Sequence, residues 1–384
     1  MNANNKNKFA IFSILLMIII PLSLFSAASL IGLGDLAGGP FISDAASVTN
    51  DGSMVVGESA GATGFGEGFY WTSSTGMVGM GVFSANSISN NYTVVGNNNG
   101  AAYSWTQSGG FVGLGTLTGS GIGSIAYGVS SDGSVIVGRS VSNNASPGGY
   151  YEAFRWTQSG GMVGLGDLPG GLFSSAATGV SADGSVVIGG GINAANQAEA
   201  FRWTESGGMT GLGNLSGGIG SMAYGISANG NFIVGVSGGS NFNEAFRWTQ
   251  ATGMVGIGFL NNDIKLSEAF DVSADGNVIV GGSNTADAEH ATIWTPTDGM
   301  KDLLDLLIAD GVDTSHWKYL EVARTVSDDG NWIAGTGVNI DGNNEAFLAQ
   351  IPEPETYALV FGGAAILYTF WRKRAQRTSP KNPC

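Results

Sequence analysis

A tryptophan that recurs at nearly regular intervals limits the folds open to this chain more than any other feature. The matching places are Trp71, Trp105, Trp156, Trp203, Trp248 and Trp294, with Ala349 in a seventh copy. Successive spacings are 34, 51, 47, 45, 46 and 55 residues. A period near 45 residues that holds four strand-length segments is typical of one β-propeller blade. The sequence therefore predicts an all-β propeller.

The clearest copy shows how each blade is divided. Its four segments are residues 223–230, 231–235, 244–249 and 253–258. In six copies an Asp-Gly or Asn-Gly pair separates the first segment from the second, at Asp51-Gly52, Asp132-Gly133, Asp183-Gly184, Asn229-Gly230, Asp275-Gly276 and Asp329-Gly330. These pairs supply the positive φ angles of a tight hairpin, so we expect turns there before carboxylate sites. The second copy has Ser89-Asn90-Asn91-Tyr92 instead, which predicts an altered hairpin.

The two ends of the repeat array complement each other. The seventh copy ends at Gln350 without a fourth segment, and residues 29–34 match that missing segment. Pairing the two would close the ring and remove its exposed strand edges. We therefore expect seven blades of about 46 residues each, closed by the N-terminal strand. The short second copy and the long sixth copy leave open six blades plus an irregular segment.

The N-terminal segment, residues 1–28, has the three parts of a secretory signal peptide. Lys6 and Lys8 precede an apolar stretch, residues 9–25, and small residues follow it. This order predicts export through the Sec pathway, with cleavage between Ala28 and Ser29. An uncleaved anchor helix is the alternative.

The C-terminal segment, residues 352–384, also has three parts. Pro352-Glu353-Pro354 precedes an apolar run, residues 357–371, and the basic cluster Arg372-Lys373-Arg374 follows. This tail resembles the PEP-CTERM sorting signal, which implies recognition and cleavage by an exosortase in a Gram-negative bacterium that makes exopolysaccharide. The polar extension to Cys384 is longer than in that family, which puts the efficiency of processing in doubt. A plain hydrophobic C-terminal helix that anchors the protein is the alternative.

Charge narrows the partners of the central segment, residues 29–351. It holds 28 Asp and Glu against 8 Lys and Arg, a balance of −20. A surface this negative repels phosphate backbones and anionic membranes, which argues against nucleic acid as a partner. We therefore expect contact with a membrane only through the C-terminal tail. Neutral glycans, cations and other envelope proteins remain as partners. The one cysteine, Cys384, excludes an intrachain disulfide.

The repeats themselves resemble a known family. The block Glu-Ala-Phe-Arg-Trp-Thr, at residues 152–157, 199–204 and 244–249, together with Gly-Met-Val-Gly-Leu-Gly, is similar to the repeat of the HAF family of extracellular repeat proteins. The family's histidine is kept in the sixth copy, as His290. The Ser-x-Asp-Gly turns also resemble TolB-type propeller repeats. These resemblances imply an extracellular propeller and no particular chemistry.

No residue pattern in the sequence indicates catalysis or a resident cofactor. Glu152, Glu199 and Glu244 recur with the blades, so we expect them to pair with Arg or with backbone groups of adjacent strands. Nucleophile elbows and zinc motifs are absent, and the glycine-rich stretches recur within strands and turns.

Calcium is the one metal the composition suits, and the sixth copy holds its best candidates. These are Asp298, Asp302, Asp305, Asp310 and Asp313. They surround residues 301–311, where leucines at helical spacing and a terminal glycine predict a short amphipathic helix over one face or at the rim. The alternative is a solvated helix face. For His316 and Trp317 beside them, we expect a packed pair.

The leading hypothesis is thus a non-enzymatic, exosortase-sorted protein of the cell surface or extracellular matrix that binds polysaccharide or an envelope partner through its propeller loops. A secreted carbohydrate-active enzyme is the alternative, with carboxylates from several blades converging at the channel mouth. A purely structural matrix protein is the third hypothesis.

Overall fold

Seven four-stranded antiparallel sheets make up the part of the chain that the computed structural model describes, residues 27–351 apart from residues 63, 65, 82, 120, 145–150, 240 and 241. They are arranged as the blades of a β-propeller, so the predicted seven-bladed fold is confirmed and the six-blade alternative is wrong. Residues 1–26 of the predicted signal peptide and the whole predicted sorting tail lie outside the described residues.

The strands follow the chain from the inside of each blade to its outside, except for the first strand, which belongs to blade 7. This first strand is β1 (Ser29–Gly32). Blade 1 contains β2 (Gly38–Val48), β3 (Val55–Gly61), β4 (Gly66–Thr72) and β5 (Gly76–Gly79). Blade 2 contains β6 (Ser84–Ile88), β7 (Val94–Asn98), β8 (Ala101–Thr106) and β9 (Gly110–Gly115). Blade 3 contains β10 (Ser124–Val129), β11 (Val135–Val141), β12 (Tyr151–Thr157) and β13 (Gly161–Gly164). Blade 4 contains β14 (Gly170–Val180), β15 (Val186–Asn193), β16 (Ala198–Thr204) and β17 (Gly208–Gly211).

The last three blades continue the pattern, with one helix between the sixth and the seventh. Blade 5 contains β18 (Gly220–Ile226), β19 (Ile233–Gly238), β20 (Asn243–Thr249) and β21 (Gly253–Gly256). Blade 6 contains β22 (Ser267–Val272), β23 (Ile279–Asn284), β24 (Glu289–Thr295) and β25 (Gly299–Asp302), followed by α1 (Leu303–Ala309). Blade 7 contains β26 (Trp317–Val326), β27 (Trp332–Asn339) and β28 (Asn344–Gln350).

The N-terminal strand closes the ring as predicted. β1 pairs antiparallel with β28, so that Ser29 lies opposite Gln350 and Gly32 opposite Phe347. The pairing continues past the strand, where the Leu33 amide donates to the Ala346 carbonyl at 2.9 Å. Because β1 is the fourth strand of blade 7, the two ends of the array are held in one sheet.

The hydrophobic core is divided among the junctions between blades. In the described part of the chain there are seven clusters of buried apolar side chains, each shared by two consecutive blades. Five fully buried phenylalanines recur at one place of the third strand, at Phe69, Phe154, Phe201, Phe246 and Phe347. Stability therefore comes from contacts between neighbouring blades as much as from each sheet.

A serine of the first strand binds each of several blades to the one before it. In blade 4, Ser175 Oγ accepts from the Ala153 amide at 2.9 Å and donates to the Gly166 carbonyl at 2.6 Å. The same pair of bonds is made by Ser43, Ser124, Ser221 and Ser267. These buried hydroxyls satisfy backbone groups that the end of a short sheet would otherwise leave unpaired.

The innermost strands ring a central channel with two different faces. The turn face carries the hairpins between the first two and the last two strands of each blade, and the loop face carries the other connections. Backbone bonds join successive blades at the turn face, such as Ser131 N to Ala182 O at 3.2 Å and Ala182 N to Ala228 O at 3.0 Å. The channel there is narrow, with a cavity of 140 Å³. Each innermost strand has a bulge near its middle.

The hairpin of blade 2 keeps the geometry of the others despite its different residues. Asn91 Oδ1 accepts from Ser89 Oγ and from the Thr93 amide, as the Asp oxygen does elsewhere. Tyr92 takes the place of glycine at a φ of 64°. The prediction of an altered hairpin is therefore wrong, because an amide oxygen can accept the same bonds as a carboxylate.

The predicted amphipathic helix is α1, which lies on the loop face between blades 6 and 7. Asp302 caps its N-terminus, accepting from the Leu304 amide at 2.8 Å. Leu303 and Leu307 are buried in the cluster between these blades. None of the helical structure within residues 27–351 is long and apolar enough to cross a membrane.

Candidate functional site at the channel mouth

The glutamates that recur in the third strand each fix the segment that follows the fourth strand of the same blade. The Oε1 atoms of Glu152 and Glu199 each accept from a backbone amide, that of Gly166 or Gly213, at 3.0 Å. The same bond recurs in other blades, from Gly81 to Glu67, from Gly258 to Glu244 and from Gly34 to Glu345. The expected pairing with backbone groups is confirmed, and it fixes these carboxylates in a structural role.

The hairpin aspartates are also occupied by their own turns. Asp132 Oδ1 accepts from the Ser134 amide at 2.9 Å and from Ser130 Oγ at 2.7 Å. These hydrogen bonds lower the pKa of the Asp132 carboxyl, and bonds from Ser181 and Ser185 lower that of Asp183. The prediction of turns first and carboxylate sites second is confirmed for these residues.

The repeated tryptophans lie in the third strand of their blades and pack against the fourth. Their partners across the sheet form the pairs Trp71 with Met77, Trp105 with Phe111, Trp156 with Met162, Trp203 with Met209, Trp248 with Met254 and Trp294 with Met300. Ala349 of the seventh copy lies opposite Leu30 of β1. The tryptophans thus form part of the junctions between blades.

Two of the five aspartates around α1 make ion pairs or hydrogen bonds with other side chains and with the helix. Asp302 caps the helix and lies 2.6 Å from His290 Nδ1, while Asp298 pairs with Lys301 at 3.3 Å. Within the described ranges, no three His, Cys, Asp or Glu side chains are grouped so that they could hold a metal ion. The histidine that carries the family resemblance, His290, also stacks on Tyr319, with ring centroids 5.5 Å apart.

The predicted pair of His316 and Trp317 is packed as expected. The two rings meet edge to face at 5.0 Å, and Trp317 is buried. His316 Nε2 lies 2.7 Å from Glu345 Oε2. Both residues therefore belong to the closure of blade 7.

A pocket on the loop face, here called the channel-mouth pocket, gathers polar groups from three blades. Its volume is 280 Å³, and its lining includes Asn243, Glu268, Phe270, Glu289 and Arg324. Asn243 comes from blade 5, the next three from blade 6 and Arg324 from blade 7. Glu289 lies across Gly282, where even a Cβ atom would come within 2.3 Å of its Oε1. This glycine leaves the space that the carboxylate occupies.

Two of the pocket's charged residues depart from the repeat. Glu268 stands where the innermost strands of the other blades have Asp44, Ser84, Ile125, Ala176, Met222 and Val322. Arg324 stands at the central bulge, where the others have Ala46, Asn86, Tyr127, Thr178, Tyr224 and Phe270. Since neither residue recurs, a role shared by every blade does not account for them.

Burial and mutual repulsion set the electrostatics of this pocket. Burial raises the pKa of Glu268, with Arg324 acting against it. Burial also raises the pKa of Glu289, and the nearby Glu268 raises it further. The pKa of Tyr224 rises to about 12, chiefly through burial and then through Glu268. The pocket is therefore an acidic site in which Arg324 partly balances the carboxylates.

Aromatic and cationic groups continue along the channel wall. The Tyr224 and Phe270 rings lie 5.4 Å apart, and the Arg324 guanidinium lies 4.8 Å from the Phe270 centroid. This stack crosses blades 5, 6 and 7 and holds Arg324 at the mouth by a cation–π contact.

Deeper in the channel, Asp271 bridges blades 6 and 7. One of its oxygens accepts from Thr325 Oγ1 and from the Val326 amide, both at 3.0 Å, and the other accepts from the Val272 amide at 2.9 Å. Burial nevertheless raises the pKa of Asp271 to about 6. These bonds give the carboxylate a structural role next to the candidate site.

Sequence reasoning did not find the channel-mouth pocket, although one signal was present. The innermost strand of blade 6 reads Ser-Glu-Ala-Phe-Asp-Val, whereas that of blade 5 reads Ser-Met-Ala-Tyr-Gly-Ile. Two acidic residues, Glu268 and Asp271, thus enter one copy at places that are apolar or glycine in blade 5. Departures from a repeat indicate function better than the repeated residues do.

Comparison with known proteins supports the fold alone. No family model matches the chain, and neither does any curated protein. An oligogalacturonate lyase structure from Vibrio parahaemolyticus is similar with a TM-score of 0.51 and 12% identity, covering 80% of this chain and 89% of that one. A puromycin hydrolase variant has a TM-score of 0.50 and 12% identity, covering 78% and 52%. A putative TolB from Agrobacterium tumefaciens has a TM-score of 0.45 and 17% identity, covering 72% and 94%.

Proposed function

We propose that this protein is exported, sorted to the cell surface or extracellular matrix, and binds polysaccharide there without cleaving it. The observation that carries the proposal is the channel-mouth pocket, whose residues Glu268 and Arg324 do not recur in the other blades. A propeller channel that gathers single-copy polar residues at one mouth is suited to binding an extended ligand across the ring.

The chemistry of the pocket fits the hydroxyl groups of a sugar. Carboxylate oxygens of Glu268 and Glu289 accept hydrogen bonds, and Arg324 and the amide of Asn243 can donate them. The volume of 280 Å³ is near the lower end of small-molecule pockets, so it suits one or two sugar units of a longer chain. The excess of carboxylates disfavours uronic acids, so we expect a neutral or amine-bearing sugar.

Binding without cleavage is proposed because no residue pattern in the sequence has the form of a catalytic motif. Glycoside hydrolysis needs one carboxylic acid and one carboxylate close together. Glu268 and Glu289 are the reason to consider cleavage at this pocket, and the Glu268→Gln variant described below distinguishes the two functions.

Export and sorting rest on the two terminal segments of the sequence. Lys6, Lys8 and the apolar stretch after them support Sec-dependent export. Pro352-Glu353-Pro354 and Arg372-Lys373-Arg374 support processing by an exosortase-type enzyme as the partner. These segments, together with the repeat, support the proposal that the protein is a HAF-type repeat protein of a Gram-negative envelope.

A glycan array with matched variants tests the binding proposal. We expect the mature protein to bind neutral or amine-bearing polysaccharide, and Arg324→Ala to weaken that binding at least tenfold. Since Ala46 occupies the same bulge in blade 1, the variant should fold. Asn86→Ala, at the same bulge in blade 2, is the control and should bind like the wild type. A blank array, or equal binding by Arg324→Ala, would contradict the proposal.

The enzymatic alternative is favoured by one observation, the convergence of Glu268 and Glu289 on a single pocket. It predicts that the bound polysaccharide is shortened and that Glu268→Gln stops the shortening while binding persists. Binding without cleavage predicts that the polysaccharide keeps its length with the wild type and with Glu268→Gln. A purely structural matrix protein would instead associate stably with the matrix and bind no glycan saturably.

A further inference from the structure

A groove on the turn face differs from its counterpart elsewhere in the ring. This groove, here called the 1–2 groove, lies between blades 1 and 2, has a volume of 720 Å³, and is lined by uncharged residues that include Ser53, Asn91, Tyr92, Trp105 and Gln107. The corresponding 3–4 groove, between blades 3 and 4, has nearly the same volume, 700 Å³. The two grooves therefore allow a comparison at constant size.

The charges of the 3–4 groove have neutral counterparts in blades 1 and 2. The 3–4 groove is lined by Arg155, Asp183, Arg202 and Glu205. The residues at the matching places of the repeat are Tyr70, Asn91, Ser104 and Gln107, respectively. Of these four, Asn91 and Gln107 line the 1–2 groove, and all of its lining residues are uncharged, within a domain whose surface is otherwise strongly acidic.

Tyr92 adds an aromatic ring to the 1–2 groove at a conformational cost. The other hairpins have glycine at this place, at Gly52, Gly133, Gly184, Gly230, Gly276 and Gly330, with φ between 67° and 79°. Tyr92 adopts a φ of 64°, which is unfavourable for a side chain of its size. Tyr92 is 42% exposed, and its hydroxyl lies 3.3 Å from Ser53 Oγ. A strained residue that keeps an aromatic ring in solvent indicates a binding role.

Trp105 forms the second aromatic surface of the groove. Its ring stacks on Tyr70 with centroids 5.7 Å apart and an angle of 24° between the planes. Tyr70 stands where the repeat block has an arginine. The same residue difference therefore removes a charge and provides an aromatic ring that packs against Trp105. Tyr92 and Trp105 are thus two fixed rings among hydroxyl and amide side chains.

We propose that the 1–2 groove binds a neutral saccharide chain. The apolar C–H faces of pyranose rings pack on Tyr92 and Trp105, while the Ser, Thr, Asn and Gln side chains bind the sugar hydroxyls. A groove without charges avoids the cost of desolvating ions when an uncharged ligand enters. This site lies on the face opposite the channel-mouth pocket, so one molecule holds two chain segments and cross-links them.

Calorimetric titration of the full-length mature protein with neutral hexaoses of glucose, mannose and galactose tests the groove. We expect at least one hexaose to bind the wild type, and Tyr92→Gly to weaken it about tenfold through loss of the ring. Tyr92→Gly restores the residue of the other hairpins, so its melting temperature should not fall. Tyr92→Phe keeps the ring and should bind within about twofold of the wild type.

Two glutamines provide a matched control. Gln107→Ala, in the groove, should weaken binding, whereas Gln158→Ala, at the same turn position of blade 3, should not. Equal affinity in Tyr92→Gly, no binding of any neutral hexaose to the wild type, or tighter binding of a galacturonate hexamer would overturn the proposal. Loss of hexaose binding in Arg324→Ala but in no groove variant would refute binding at the 1–2 groove and support binding at the channel-mouth pocket.

Discussion

The buried carboxyl of Asp271 makes stability depend on pH in a direction that can be worked out. Its pKa is raised from 3.8 to about 6 in the folded protein, because burial disfavours the charged form. The folded state therefore binds the proton more tightly than the unfolded state. The contribution of Asp271 to the free energy of unfolding is greatest below pH 4 and is lost as the pH rises through about 6. At 1.36 kcal/mol for each pKa unit, the loss amounts to about 3 kcal/mol.

Guanidinium unfolding of the wild type and of Asp271→Asn at pH 4.5 and pH 7 measures this effect. The variant loses or rearranges bonds to Thr325 and Val326, but that cost is the same at both pH values. The difference in unfolding free energy between the two proteins should therefore shift by about 2 kcal/mol across this range, in favour of the variant at pH 7. A difference that stays constant within about 0.5 kcal/mol would refute the reasoning.

Two further predictions concern the fold. Removing residues 29–32 exposes the edge of β28, so size-exclusion chromatography with light scattering should show oligomers, and a monomer with the wild-type melting temperature would contradict the role of β1. Gly235→Ala places a Cβ 2.0 Å from the Met222 carbonyl oxygen and should destabilise the protein by about 3 kcal/mol in thermal or chemical unfolding. Gly113→Ala, where the nearest atom is 3.5 Å away, is the control and should change stability by less than about 1 kcal/mol.

The architecture could be predicted because it repeats. Most copies carry a hairpin turn, a Phe and a Trp at matching places, so the period predicts the blade and its four strands. The unmatched segment at Ser29 and the incomplete copy at Gln350 then indicated how the ring closes. The prediction for the blade 2 hairpin was wrong because Asn91 and Tyr92 differ in sequence from Asp-Gly, although they form the same turn.

The candidate sites could not be predicted in the same way, because they are formed by residues that differ from those at the matching places of the repeat. Glu268 and Arg324 are 56 positions apart and meet only because blades 6 and 7 are neighbours around the channel. The 1–2 groove likewise depends on Tyr92 and Trp105, which belong to one blade, and on Ser53 from the blade before it. Their proximity follows from ring geometry that no spacing in the sequence encodes.

The predicted signal-peptide cleavage and the closure of the ring share one residue boundary. The predicted signal peptide ends at Ala28, and β1, which closes the ring, begins at Ser29. The decisive measurement is the intact mass of the protein recovered from its native envelope, with both termini sequenced. We predict a chain that starts at Ser29 and ends near Pro352. A chain that starts beyond Gly32, or one that keeps residues 1–28, would contradict the account.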